Sequence, residues 1–400
     1  IDWLLPNRVA MFDGLIHTIE QASAGDKAKQ VLYASNVASM KNNLKRAQGE
    51  LEGLRRSDAI HVRAADEAAM LAWLKQQPDA NSAQTDIRAL QAELNQADAQ
   101  RERDFILPFL RPGLLGAAVQ LQRLAFEHSK PDAQRESGYQ QRDEPMIEGG
   151  LKQLQRRFDP VVEKATLRFA LQRYFALPQA QRVAEFDAVF GSTIDEAAQR
   201  VDALYAGTRL GDQATRLAAM NLDATALAAS SDSLLKAAAI LQPALLRLEG
   251  EAKQRAGELL RLRPAYMQAL IAYRKSQGRA VYPDANSTLR VSYGKVSALT
   301  PRDGVDYRPL TTVAGIVEKN TGVVPFNAPG PLLDAIAKGD FGSTADAALG
   351  TQTVNFMTNL DTTGGNSGSP VLDAQGNLIG LNFDSNWEAV SASWMFDPRY

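Results

Sequence analysis

The sequence predicts an α+β multidomain protein, a large all-α region followed by part of an all-β barrel. Two observations carry that expectation. From about residue 7 to residue 275, apolar positions recur every three or four residues, the period of a helix with one buried face. Beyond residue 276, β-branched and aromatic residues alternate with polar ones, and a Gly/Ser-rich turn interrupts the alternation near residue 365. The expected domains are therefore 1–275, all helical, and 276–400, the C-terminal part of a barrel.

In the helical part, Ile87, Leu90, Leu94 and Ala97 fall on one helix face, as do Leu234, Ala238, Leu241, Leu245 and Leu248. Asp159 before Pro160 is an N-cap followed by a first-turn proline, and Leu177-Pro178 ends the helix that follows. Pro243 is expected to kink its helix or mark a boundary. Ser276-Gln277-Gly278-Arg279 reads as a polar hinge into the β part. There, strands are expected at Leu289–Tyr293, Thr311–Glu318 and Val354–Met357, and a short helix at Pro331–Ala337.

Composition narrows the function. With 400 residues, 45% of them hydrophobic, the chain can build two or three cores. A formal charge of −2 provides no basic field for nucleic acid. The absence of cysteine removes disulfides, thiolate metal sites and a Cys nucleophile. No run of about 18 apolar residues predicts a membrane span, and no His/Asp/Glu spacing suggests a metal or other cofactor. The chain begins Ile1-Asp2-Trp3-Leu4-Leu5-Pro6 and stops soon after a strand pattern, so both ends are expected to be cut from a longer polypeptide.

The chemistry-bearing stretch is Thr362-Thr363-Gly364-Gly365-Asn366-Ser367-Gly368-Ser369-Pro370. A serine between glycines on a tight turn exposes its hydroxyl while nearby backbone N–H groups converge on one point. Ser367 is the candidate nucleophile, and the N–H groups of Gly365 and Ser367 are the candidate oxyanion donors. A serine hydroxyl needs a base to take its proton. His17, His61 and His128 all lie in helical patterns that read as packing or surface.

Gly365-Asn366-Ser367-Gly368-Ser369-Pro370 resembles the nucleophile box of chymotrypsin-like serine peptidases. Asn366 in place of the usual Asp, together with Gly380-Leu381-Asn382-Phe383-Asp384-Ser385-Asn386-Trp387-Glu388, is similar to the S46 dipeptidyl peptidases of bacteria. Tyr282–Val296 and Gly138–Asp143 resemble that family too.

The resemblance implies a chymotrypsin-like double β-barrel with a helical domain over its active site, and release of dipeptides from the free N-terminus of oligopeptides. It places the catalytic His and Asp upstream of Ile1. Asp384 matches the aspartate that pairs with the substrate α-ammonium, and Asn42 best fits a second partner for that group. Ser385 stands where family members with Gly accept bulky apolar P1 side chains and members with Arg prefer Asp or Glu. A serine there carries no cation, so apolar or broad P1 preference is expected, with an acidic-P1 enzyme and a catalytically inactive binding module as alternatives. A homodimer and a periplasmic location are further implications.

Overall fold

The computed structural model describes residues 1–78, 80–279, 281, 287–397 and 399. Helices occupy most of the first 276 residues. They are α1 (Leu4–Ala22), α2 (Lys27–Arg56), α3 (Ala59–Leu74), α4 (Ala80–Ile106), α5 (Gly113–His128), α6 (Glu144–Gln153), α7 (Pro160–Phe175), α8 (Ala184–Phe190), α9 (Ile194–Ala206), α10 (Gln213–Ala218), α11 (Ala224–Ala229) and α12 (Ser233–Ser276). Short strands follow: β1 (Leu299–Arg302), β2 (Val305–Tyr307), β3 (Leu310–Thr312), β4 (Ala345–Asp346), β5 (Thr351–Phe356), β6 (Pro370–Leu372) and β7 (Leu378–Leu381), with α13 (Ala314–Lys319) and α14 (Gly330–Lys338) between β3 and β4.

The chain divides into two compact units. One comprises Asn7–Lys45 and Ala65–Tyr282; the other comprises Ile1–Pro6, Arg46–Ala64 and Pro283–Tyr400. The last third of α2 and the start of α3 thus belong with the strands, a grouping that the composition change at residue 276 does not disclose.

The helical unit is built around α5, whose Leu114, Leu115, Ala118, Leu121 and Leu124 are buried together with Leu167, Leu171, Tyr174, Phe186, Phe190 and Leu241. α12 packs along both α4 and α5. It remains helical through Pro243 and Pro264, so the boundary expected at Pro243 is absent. Burial of Leu241, Gln242 and Ala244 around the proline supplies tertiary contacts that offset the lost N–H. Leu234, Ala238 and Leu241 face the core, whereas Leu94 stands 42% exposed while Ile87 and Leu90 are buried. Asp159 caps α7 by accepting from the N–H groups of Val161 and Val162.

α5 begins against a buried acid. Glu163 Oε1 accepts from Leu114 N at 2.7 Å and from the Tyr205 hydroxyl at 2.5 Å. Gly113 has φ +20°, and a Cβ there would lie 1.8 Å from Glu163 Oε2, so only glycine fits.

Among the described residues the strand-bearing unit holds three small antiparallel sheets, β1-β2, β3-β5-β4 and β6-β7. Two expectations are corrected here. The stretch Thr311–Glu318 forms only the end of β3; buried Val313 then turns the chain into α13. The alternation Leu289–Tyr293 is not a strand: Leu289, Val291 and Tyr293 are 93%, 80% and 95% exposed. Nearby, Val296 makes a single isolated bridge to Thr358, and alternation becomes a strand only where a partner supplies the ladder. Residues Tyr282–Asn286 of the same stretch lie outside the described residues. The helix expected at Pro331–Ala337 is α14, and Val354–Met357 overlaps β5.

Burial pushes the Glu163 carboxyl up to about 7, against the opposing pull of the Tyr205 hydroxyl and the Leu114 and Leu115 N–H groups. The folded chain therefore holds a proton that the unfolded chain releases near its ordinary 4.5. The corresponding stability is fully present below pH 4.5 and is lost as pH rises through about 7, on the order of 3 kcal/mol in all. Glu163→Gln is expected to remove that slope from unfolding free energies measured by denaturant titration across this window.

Candidate active site

The site is built on the β6-β7 hairpin. Its turn is closed by Asp373, whose carboxylate accepts from Gln375 N and Asn377 N at 2.9 and 2.8 Å and from the Asn377 side-chain amide at 2.8 Å. The Asn377 amide is the largest of the contacts holding the Asp373 carboxyl below its usual range. Gly376, at φ +84°, completes the reversal. The strands pair Pro370 with Leu381 and Val371 with Gly380. The pairing continues beyond the strands: Gly368 N donates to Asn382 O at 2.7 Å, and Asn382 N donates to Ser369 O at 2.9 Å.

That continuation places Ser367 beside Phe383-Asp384. The Ser367 hydroxyl is exposed and donates to Phe383 O at 3.4 Å. Gly365 and Gly368 adopt φ +102° and +85° on either side of it, conformations that disfavour a Cβ. The N–H groups of Gly365 and Ser367 donate to no other described residue, which leaves both available to an oxyanion.

Asn366 closes the preceding turn twice: its N–H donates to Thr363 O at 3.1 Å, and its Oδ1 accepts from Thr363 N at 2.8 Å. An amide can fill this role without adding a charge beside Ser367.

Asp384 is exposed and accepts from the N–H of Ser385 at 2.8 Å, and Ser385 is half-buried. The hairpin thus sets Ser367 against the backbone of Phe383, directly before Asp384 and Ser385. Asn42 lies exposed on α2 within the other compact unit.

None of the histidines is the described partner of Ser367. His17 is exposed on α1. His61 bonds Asp58 at 2.6 Å, which raises its pKa, and His128 bonds Glu144 at 2.9 Å. Among the described residues no group of three or more His, Cys, Asp or Glu is placed to hold a metal. No helix there is long and apolar enough to cross a membrane.

The family model described as Peptidase S46 matches residues 1–400. The chain belongs to the peptidase S46 family. An Asp/Glu-specific dipeptidyl-peptidase of Shewanella putrefaciens is 38% identical over 425 residues, taking in 99% of this chain and 57% of that protein. Dipeptidyl-peptidase 7 of Porphyromonas gingivalis is 27% identical, over 95% of this chain and 52% of its own length. The crystal structure of Porphyromonas endodontalis DPP11 matches with a TM-score of 0.74 at 26% identity, covering 100% of this chain and 57% of that one. This S46 chain spans about half the length of the curated relatives it matches.

Several contributors to the site escaped sequence reasoning. The Phe383 carbonyl is a backbone atom, so nothing in its side chain announces it. Gly49 and Gly53, four apart on α2, form a small-residue face that receives Val390 and Ser391, and their i, i+4 spacing was the available signal.

The hairpin is keyed to its neighbour by Gly380, where a Cβ would lie 2.8 Å from Phe356 Cε1 of β5. Gly380→Val is therefore expected to lower unfolding free energy by about 1–3 kcal/mol, with Phe356→Ala in the same chain recovering part of the loss.

Proposed function

We propose that this chain carries the nucleophile and substrate-terminus site of a serine dipeptidyl peptidase, which releases dipeptides from the free N-terminus of oligopeptides. The juxtaposition of Ser367 and Asp384 on one hairpin carries this reading. Ser367 Oγ attacks the scissile carbonyl, its proton passes to a base, and the carbonyl oxygen, now an oxyanion, is held by the N–H groups of Gly365 and Ser367. Collapse expels the shortened peptide as an amine that takes up the proton. Water then releases the dipeptide from Ser367. The base and its carboxylate are proposed to lie upstream of Ile1, and the three sheets to be part of a chymotrypsin-like double barrel.

Asp384 fixes the cleavage point by pairing with the substrate α-ammonium. An internal peptide bond offers no cation there, so termini are selected. Residues 339–398 contain seven Asp and Glu and no Lys, Arg or His, a local charge balance that suits a cationic group.

At P1, the relatives bearing the name Asp/Glu-specific, among them the 38% identical one, favour an acidic side chain, for which the Ser385 hydroxyl is a donor. The uncharged Ser385 and the relatives named dipeptidyl-peptidase 7 favour the second reading, apolar or broad P1. The whole protein is proposed to be a periplasmic homodimer.

In the polypeptide extended upstream, a fluorophosphonate is expected to label Ser367, and Ser367→Ala to abolish both labelling and dipeptide release. An unlabelled wild type would favour a binding module. N-acetylation of the substrate, or Asp384→Asn, is expected to cost about 1–3 kcal/mol in kcat/KM. The ratio of kcat/KM for Asp over Leu at P1 decides between the two specificities.

A further inference from the structure

Directly after the Asp384-Ser385 turn, Trp387–Ser393 forms a 3-10 segment. It lies against α2 in an unusually close contact. A Cβ on Gly53 would sit 2.3 Å from Ser391 Oγ and 2.8 Å from Ser391 Cβ, and one on Gly49 would sit 3.2 Å from Val390 Cγ1 and 3.3 Å from the Trp387 ring.

Hydrogen bonds fix the same pair of elements. Arg56 donates to Glu388 O at 3.1 Å, and Trp387 Nε1 donates to Glu52 Oε2 at 2.9 Å. Glu52 also reaches Arg56 at 3.6 Å. On the far side of the 3-10 segment, the Tyr307 hydroxyl lies 3.4 Å from Glu388 Oε1. Ser391 and Glu388 are buried, so the segment cannot shift without moving packed atoms.

We propose that Gly53, with Glu52 and Trp387 beside it, is a positioning element for substrate recognition: the bare helix face at Gly53 sets the seat of Trp387–Ser393, and that seat sets where Asp384 and Ser385 meet the substrate. This rests on Asp384 and Ser385 being the substrate-recognising pair of the proposed peptidase. Only Asn386 separates the turn from the docked segment, so a displacement at Ser391 has little chain in which to dissipate. Ser367 is held through β6, the Asn366 turn and its bond to Phe383 O, contacts that all precede the Asp384-Ser385 turn in the hairpin. A displaced seat therefore weakens substrate binding more than it impairs the nucleophile.

The test uses the upstream-extended polypeptide with dipeptidyl substrates bearing a free N-terminus. Gly53→Ala is expected to raise KM about tenfold, with kcat and the rate of fluorophosphonate labelling at Ser367 changed by less than about threefold. The double variant Gly53→Ala/Ser391→Gly vacates the colliding atoms and is expected to return KM to the wild-type value. A wild-type KM in Gly53→Ala, or a raised KM that Ser391→Gly does not restore, overturns the inference. If Gly53→Ala does not fold, Trp387→Phe decides: it keeps an aromatic ring, removes the bond to Glu52, and is expected to raise KM severalfold, an unchanged KM being the overturning result. Asp384→Asn is measured alongside. A wild-type KM in Asp384→Asn overturns the reading of the site itself, whereas a raised KM there beside an unchanged one in Gly53→Ala overturns this inference alone.

Discussion

The antiparallel pairing of β6 with β7 is the constraint on which the candidate site depends. A hairpin register admits no intermediate settings, because a slip of one residue sends every side chain to the opposite face. Here the register is set by the Asp373–Asn377 turn at one end and carried beyond Pro370 by the bonds between Gly368, Ser369 and Asn382 at the other. Ser367 and Asp384 lie seventeen positions apart in the sequence, yet each stands just outside its own strand, and the pairing sets the Ser367 hydroxyl against the carbonyl of Phe383, the residue before Asp384. The Asx closure at Asn366 and the two left-handed glycines then aim the hydroxyl. Removing the register would disperse the site even if every residue in it were kept.

The second constraint is that small strands do not hold themselves in place. β6 has three residues and β7 four, and two-stranded pieces of that length are marginal in water. Their support comes from contacts made by side chains that are absent as much as by those present. Gly380 accepts the Phe356 ring, and Gly49 and Gly53 accept the segment that follows the hairpin. Each glycine gives up helix or strand propensity of roughly 0.5–1 kcal/mol. Such a cost is tolerable where it permits a close approach that no larger residue could make. The helical residues Arg46–Ala64 are thereby part of the strand-bearing unit, although their own pattern is that of any surface helix.

This explains what could be read from the sequence and what could not. Local rules were sufficient for the N-cap at Asp159, the helix end at Ser276, the short helix over Gly330–Lys338 and the exposed serine turn, because each is decided by residues within one or two turns of itself. They failed where a distant partner decides. At Pro243 local rules leave a kink or an end open, and packing on α4 and α5 decides that α12 continues. Leu289–Tyr293 alternates like a strand but finds no ladder among the described residues. Thr311–Glu318 is rich in β-branched residues yet turns at buried Val313. Ser367 and Asp384 could be named singly, but their adjacency is a property of the pairing and has no signature in either segment alone.

The charge pattern around the hairpin bears on how a single cleft could serve two recognition tasks. A site for a substrate α-ammonium profits from carboxylates nearby, and the segment from 339 to 398 supplies them without an internal cation. A pocket for an acidic P1 side chain profits from the opposite. With no Lys, Arg or His between residues 339 and 398, the segment meets the first need and supplies no cation for the second. In the proposed peptidase, an acidic P1 is therefore compatible with this hairpin only if its donors are neutral, as the Ser385 hydroxyl is, or if its cation projects from outside residues 339–398. An apolar P1 faces no such conflict. Specificity would then be set less by residue 385 itself than by which distant group, if any, reaches across to it.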